Sequence, residues 1–211
     1  MPYGYVTKQP NQIINNSGVF SITDVAELQS QGKLGGSLEL IEEQTFSGVS
    51  AVDFTSIKEN VYDVHFLEVI NNNFSGGDSS FGIQFYESGV LETASVYQYG
   101  IQYNFSDGTN GESKSTGRDL IFVNIANFGQ GTNDSGNAYV YFYNLGNSSK
   151  YSFVTSQGLL QDSSVMKMSF GGGVLPQAST VDGIRLKESI GGGATVSGTI
   201  KLYGVKQIWV T

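Results

Sequence analysis

From about residue 38 onward, apolar side chains recur at every second position, the period of a half-buried β-strand. Leu38 and Leu40 flank Glu39. The segment 61–70 is a long strand with both faces partly apolar, and 81–86 alternates through Phe81, Ile83 and Phe85. Residues 119–125 form a nearly unbroken apolar run, and 137–143 make a strongly aromatic strand. Further strands are expected at 151–155, 165–170, 181–186, 195–203 and 207–210. Clusters of Gly, Asn, Asp and Ser at 75–78, 106–111, 131–136 and 144–148 supply the turns. Short strands at this spacing predict an all-β protein with a jelly-roll-like β-sandwich.

The first residues break that pattern. Positions 1–18 are rich in Asn, Gln and Pro without a period, and read as an extended arm. A short helix is expected at 22–31, capped by Ser21 and ended by Gly32, with Ile22, Val25 and Leu28 as a narrow apolar stripe. So short a helix is marginal alone and must pack on its own domain or on another subunit. The chain therefore divides into an N-terminal arm and helix at 1–35 and a sandwich at 36–211.

Composition narrows the function. Of 211 residues, 39% are hydrophobic and 14% charged, enough to bury a core and unlike a disordered chain. The net charge is −8, and the 11 Lys and Arg are scattered, so nucleic acid is not an expected partner. No cysteine is present, which excludes disulfides and thiolate chemistry. There is no apolar run long enough to span a membrane, and the start of the chain lacks the pattern of a secretory signal. Synthesis in a cytoplasm is the expectation.

Candidate chemistry is thin. His65 is the only histidine and is expected to be structural, although a pairing with Asp63 is conceivable. Glu42, Glu43, Glu68, Glu87 and Glu92 are candidates for glycoside hydrolysis by residue type only; Glu42 and Glu43 point to opposite faces of a strand. The loops 106–110 and 132–136 carry oxygen ligands suited to calcium but lack its spaced motif, and are expected to be Asx turns. Gly171–Gly173 and Gly191–Gly193 are loops or points of close backbone approach. No catalytic residue, metal ligand or cofactor is assigned. Two tyrosine sets, Tyr97, Tyr99 and Tyr103, and Tyr139, Tyr141 and Tyr143, each share a strand face. The first expectation is that both line the core; facing outward, either would be a sugar-stacking platform or a subunit interface.

Residues 18–34, opening on Gly18, Val19, Phe20 and Ser21, resemble the opening motif of many tailed-bacteriophage virion proteins, where a Gly-Val-aromatic-Ser start leads into a short helix. Residues 50–57, leading into 61–67, look like the first strands of the same domains, with Lys58 where the family carries Pro. The end of the chain, at 181–186 and 197–205, is similar to their closing strands, with Gly198, Ile200, Leu202, Tyr203 and Gly204 in a Gly-x-Ile-x-Leu-Tyr-Gly ending. The resemblance implies a non-enzymatic virion component, a capsid decoration or a neck, tail or fibre protein, attached to other virion proteins through its N-terminal segment. It implies a homo-oligomer, expected to be a trimer, with Val19, Phe20, Val25 and Leu28 as docking contacts; packing on their own sandwich is the other reading of those four. The rival function is a carbohydrate-binding module for a bacterial surface glycan.

Overall fold

The computed structural model describes Thr23 and residues 37–76, 79–124, 133–162, 164–189 and 193–206. Two compact units are present, Met1–Ser37 and Leu38–Thr211. The expected helix at 22–31, the docking residues Val19, Phe20, Val25 and Leu28, and the expected strand at 207–210 lie outside the described residues, Thr23 excepted.

Alternation of inward and outward side chains organises the second unit into antiparallel strands. In chain order they are β1 (Leu38–Val49), β2 (Ala51–Phe54), β3 (Val64–Phe74), β4 (Phe81–Glu87), β5 (Val90–Leu91), β6 (Tyr97–Phe105) and β7 (Asn110–Arg118). Then follow β8 (Ile121–Phe122), β9 (Gly136–Tyr143), β10 (Ser152–Asp162), β11 (Val165–Leu175), β12 (Val181–Glu188) and β13 (Val196–Val205). A large sheet has the order β1-β13-β3-β9-β10-β11-β6-β7. A smaller one runs β2-β12-β4, with β5 and β8 pairing the two ends of β4's free edge. The protein is a β-sandwich.

The core lies between the sheets. From the large sheet come Leu67, Val69, Val140, Phe142, Val154, Ile200 and Leu202; from the small one Val52, Phe54, Ile83, Phe85, Ile184 and Leu186. Phe85 packs on Phe142 edge-to-face at 6.1 Å and lies 6.2 Å from the ring of Tyr97. The buried Tyr97 hydroxyl accepts the Phe85 amide at 2.9 Å and donates to the Glu92 carbonyl at 3.1 Å, and burial raises its pKa.

Glycines at two places within the strands have packing explanations. Gly171 and Gly173 lie mid-strand in β11, facing inward, where a Cβ would collide with the backbone of β6 at Gly100 and Ile101, or with Ile121. The triple glycine is thus a close approach rather than a loop. In β13, Gly198 (φ 155°) sits at a bulge where any side chain would meet the buried amide of Asn72.

Candidate functional site

Because strand partners share a face, the register fixes what the large sheet presents on its outer side. On β3 this is Phe66, Glu68 and Ile70; on β9, Tyr139, Tyr141 and Tyr143. On β10 it is Phe153, Thr155, Gln157 and Leu159, and on β11, Met166, Met168 and Phe170. Tyr203 of β13 continues the row beside Phe66. The Phe66 ring lies 4.9 Å from Tyr141, 5.9 Å from Tyr203 and 6.4 Å from Tyr139, and Tyr141 stacks on Tyr143 at 6.4 Å. Five rings thus form one continuous cluster on the side away from the core. Tyr139, Phe153, Leu159, Met166 and Phe170 are each 38–47% exposed.

The second tyrosine set was expected in the core, and the structure corrects this. Val140 and Phe142 take the inward positions of β9, so Tyr139, Tyr141 and Tyr143 must point out. The first set behaves as expected only in part: Tyr97 is fully buried and Tyr99 packs against the core with its hydroxyl 3.0 Å from that of Ser113, whereas Tyr103 is half-buried outside the core, its ring 5.1 Å from Phe105. Phe153, Leu159, Met166 and Phe170 extend the outer cluster without having been singled out from sequence. Their signal is a mixed alternation: β10 turns Ser152, Ser156 and Gly158 inward beside the core residues Val154 and Leu160, while Phe153 and Leu159 face out. Small polar residues on the inner side are what distinguish this strand from an ordinary half-buried one.

A groove of about 500 Å³ crosses this face, lined by Phe66, Glu68, Ile70, Asn137, Tyr139, Gln157 and Leu159, among others. The Tyr139 hydroxyl donates to Gln157 Oε1 at 2.7 Å, and Asn137 Oδ1 accepts the Asn71 amide at 3.0 Å. These bonds fix both amides with their carbonyl oxygens occupied. Tyr203 has a raised pKa, first from burial and then from the neighbouring Glu68 carboxylate.

Other polar groups have structural partners. His65 is fully buried on the inner side of β3 with Leu67 and Val69, and its Nε2 lies 2.8 Å from the Ile57 carbonyl. Nε2 therefore carries the proton, and burial holds the imidazole pKa below its ordinary value. Asp63 is exposed ahead of the strand, so the two do not share an inner face. Glu43 meets Lys201 at 3.5 Å on the outer face, while Glu42 accepts Gln44 Nε2 at 2.8 Å from the other side. Glu92 Oε1 accepts the Ala94 amide at 2.7 Å, and Glu87 accepts the Ser179 hydroxyl. The 106–110 loop is an Asx turn, with Asp107 Oδ1 accepting the Thr109 amide at 2.8 Å. Among the described residues no group of three or more His, Asp or Glu side chains is placed to hold a metal ion.

The small sheet presents a contrasting outer face. Arg185 binds Asp53 through Nε at 2.7 Å and Nη2 at 2.8 Å, with the Tyr86 hydroxyl donating to Asp53 Oδ1 at 2.9 Å. Arg185, then Tyr86, holds the Asp53 carboxyl below the ordinary range despite opposing desolvation. The stabilisation is complete above the unfolded aspartate value and is lost as pH falls through the lower folded one. Asp53→Ala is expected to cost about 1 kcal/mol at pH 7, the pair being partly solvated, and to leave the variant less acid-sensitive than the parent. Urea melts of both proteins at pH 7 and pH 3 check this; equal losses at the two pH values would count against it.

No family of known proteins, curated protein or solved structure matches the chain.

Proposed function

We propose that this chain is a non-enzymatic structural component of a tailed-phage virion, a capsid decoration or a neck, tail or fibre subunit whose sandwich is a jelly roll. Strand order supports the finer fold. Four strands of the large sheet, β1-β13-β3-β9, lie over β2-β12-β4-β8 of the small one, and in chain order every link among these eight strands passes between the sheets except that from β4 to β8. That is the two-Greek-key arrangement that recurs in viral capsid and lectin domains. The hairpins β6–β7 and β10–β11 are then insertions that widen one sheet.

The observation that carries the reading is where that widening falls. Strands β10 and β11 enlarge the aromatic outer face and add Phe153, Leu159, Met166 and Phe170 to it. Added strands that back the core with Val154, Leu160 and Leu175 yet still expose apolar side chains on their other face are suited to contact with other molecules. Attachment is assigned to residues 1–35, with Val19, Phe20, Val25 and Leu28 as contacts, and the protein resides in the particle. In virions made from the genome that encodes the chain, mass spectrometry is expected to find it at stoichiometric level. Full-length protein carrying Phe20→Asp and Leu28→Asp is expected to be incorporated at least about tenfold less. Purified particles without the chain would end the proposal.

One observation favours a second reading, a glycan-binding module. The groove sets Tyr139 and Phe66 beside the Asn137 and Gln157 amides and the Glu68 carboxylate, the mixture of ring faces and hydrogen-bonding groups that sugars use.

A further inference from the structure

We infer that the outer face of the large sheet is the contact surface between copies of this same chain; the inference deepens the assembly reading above and rests on it. Size is the first argument. Strands about 4.8 Å apart and about 3.3 Å per residue give the eight-stranded face roughly 1,000 Å². Tyr139, Phe153, Leu159, Met166 and Phe170 alone leave on the order of 400 Å² of apolar surface in water, at about 200 Å² per full side chain. The largest apolar patch on a typical monomer is about 300–600 Å², and a stable protein interface takes about 800 Å² from each partner. An oligosaccharide lying in the groove by Tyr139 would leave Phe153, Met166 and Phe170 in water, since none of them lines it. A protein partner covers them all.

Charge selects the partner. Two molecules with a net charge of −8 each repel one another unless they meet where charge is sparse. The strand residues of this face include Glu43, Glu68 and Glu112 against Lys114 and Lys201, a balance of about −1, and Lys201 is already paired with Glu43. The remaining −7 lies elsewhere on the chain. Self-association through the outer face therefore buries apolar surface while keeping most of the like charge apart. A strongly basic partner would instead be drawn to the rest of the molecule.

The edges of the sheet exclude the competing route. At one edge β7 carries Glu112, Lys114 and Arg118 and is almost wholly exposed; at the other β1 carries Glu39, Glu42 and Glu43 and is interrupted by two register shifts. Charged side chains and bulges on edge strands oppose strand-to-strand addition. Copies of the chain thus meet face to face, through side chains.

The full-length chain is to be weighed by sedimentation velocity from about 1 to 100 µM. A closed oligomer is expected, at a multiple of 22.7 kDa. Leu159→Glu and Phe170→Glu, made separately at sites 47% and 40% exposed, are each expected to weaken association at least about tenfold without changing the monomer's circular dichroism. Lys187→Glu, on the small sheet, is expected to leave the mass unchanged. A wild-type monomer at 100 µM overturns the inference, as does an oligomer that neither outer-face variant weakens. So does a monomer whose tyrosine fluorescence responds to bacterial surface polysaccharide fragments, which would give the face to a glycan. A monomeric chain found in particles defeats this inference alone, whereas an oligomeric chain absent from particles defeats the virion role alone.

Discussion

Phe142→Ala is expected to remove about 3–5 kcal/mol from the stability of the sandwich, while Tyr141→Ala, one residue away, removes about 1. Phe142 is fully buried, facing Phe85 of the opposite sheet at 6.1 Å. Truncation there leaves a cavity in the layer where the two sheets meet, and neither backbone can close it without breaking its ladders. A loss of that size is a large share of the roughly 5–15 kcal/mol that holds an ordinary domain together. Tyr141 keeps its contacts with Phe66 and Tyr143 on the outer side, where water already reaches it. Its removal forfeits ring contacts but opens no cavity. Urea unfolding at protein concentrations below the onset of self-association measures both. Comparable losses at the two positions would mean that β9 does not turn Val140 and Phe142 inward, and the outer aromatic face would go with it.

Legibility of the sequence followed how one-sided each strand is. The expected strands 81–86, 137–143, 181–186 and 195–203 fall within one or two positions of β4, β9, β12 and β13, because those strands carry dense apolar or β-branched residues. Strands β10 and β11 run well past the predicted ends at 155 and 170, since Gly158 and Gly171–Gly173 look like punctuation in a sequence. In space they are mid-strand positions where backbones approach. The nearly unbroken apolar run 119–125 contributes, among its described residues, only the two-residue strand Ile121–Phe122 and a bond from the Val123 amide to the Phe81 carbonyl; Leu120, Ile121 and Val123 are buried all round, which periodicity cannot distinguish from a strand. Strand β7 was invisible because Asn110–Arg118 contains no apolar residue and covers no core.

The candidate site was half legible for a related reason. A period of two says that Tyr139, Tyr141 and Tyr143 share a face, but not which face. Burial statistics favour the core, and they failed here because Val140 and Phe142 already occupy it. The choice is made by β3 and β10 on either side, whose inward residues must be in register with those of β9. Long-range pairing of that kind has no local signature. The structural role of His65, by contrast, follows from the chain's lack of partners for chemistry, and its placement among Leu67 and Val69 agrees.

Acidification from pH 7.5 to 5 is expected to destabilise the protein mainly through His65, the chain's only histidine. In the folded state Nε2 donates to the Ile57 carbonyl, and Nδ1 is buried without a hydrogen-bond partner. A second proton would have to reside on Nδ1, away from water and with no acceptor, so desolvation lowers the folded pKa; the Ile57 bond and Glu59 oppose it only in part. Unfolded, the same ring titrates near 6.5. Below that value the unfolded chain binds a proton that the folded one refuses, so stability falls with pH until the lower folded pKa is reached, with a limiting slope of about 1.4 kcal/mol per pH unit. Above it the contribution is complete. The lowered carboxyl of Asp53 changes charge only below the ordinary aspartate value, near pH 4, leaving the interval above pH 5 to the imidazole. His65→Gln can still offer an amide N–H to Ile57 but has nothing to titrate. The parent is therefore expected to be the more stable protein at pH 7.5, and its advantage to shrink steadily towards pH 5. An advantage that stays constant across that range would show that His65 takes up its proton in place, and the buried, neutral imidazole described here would be wrong.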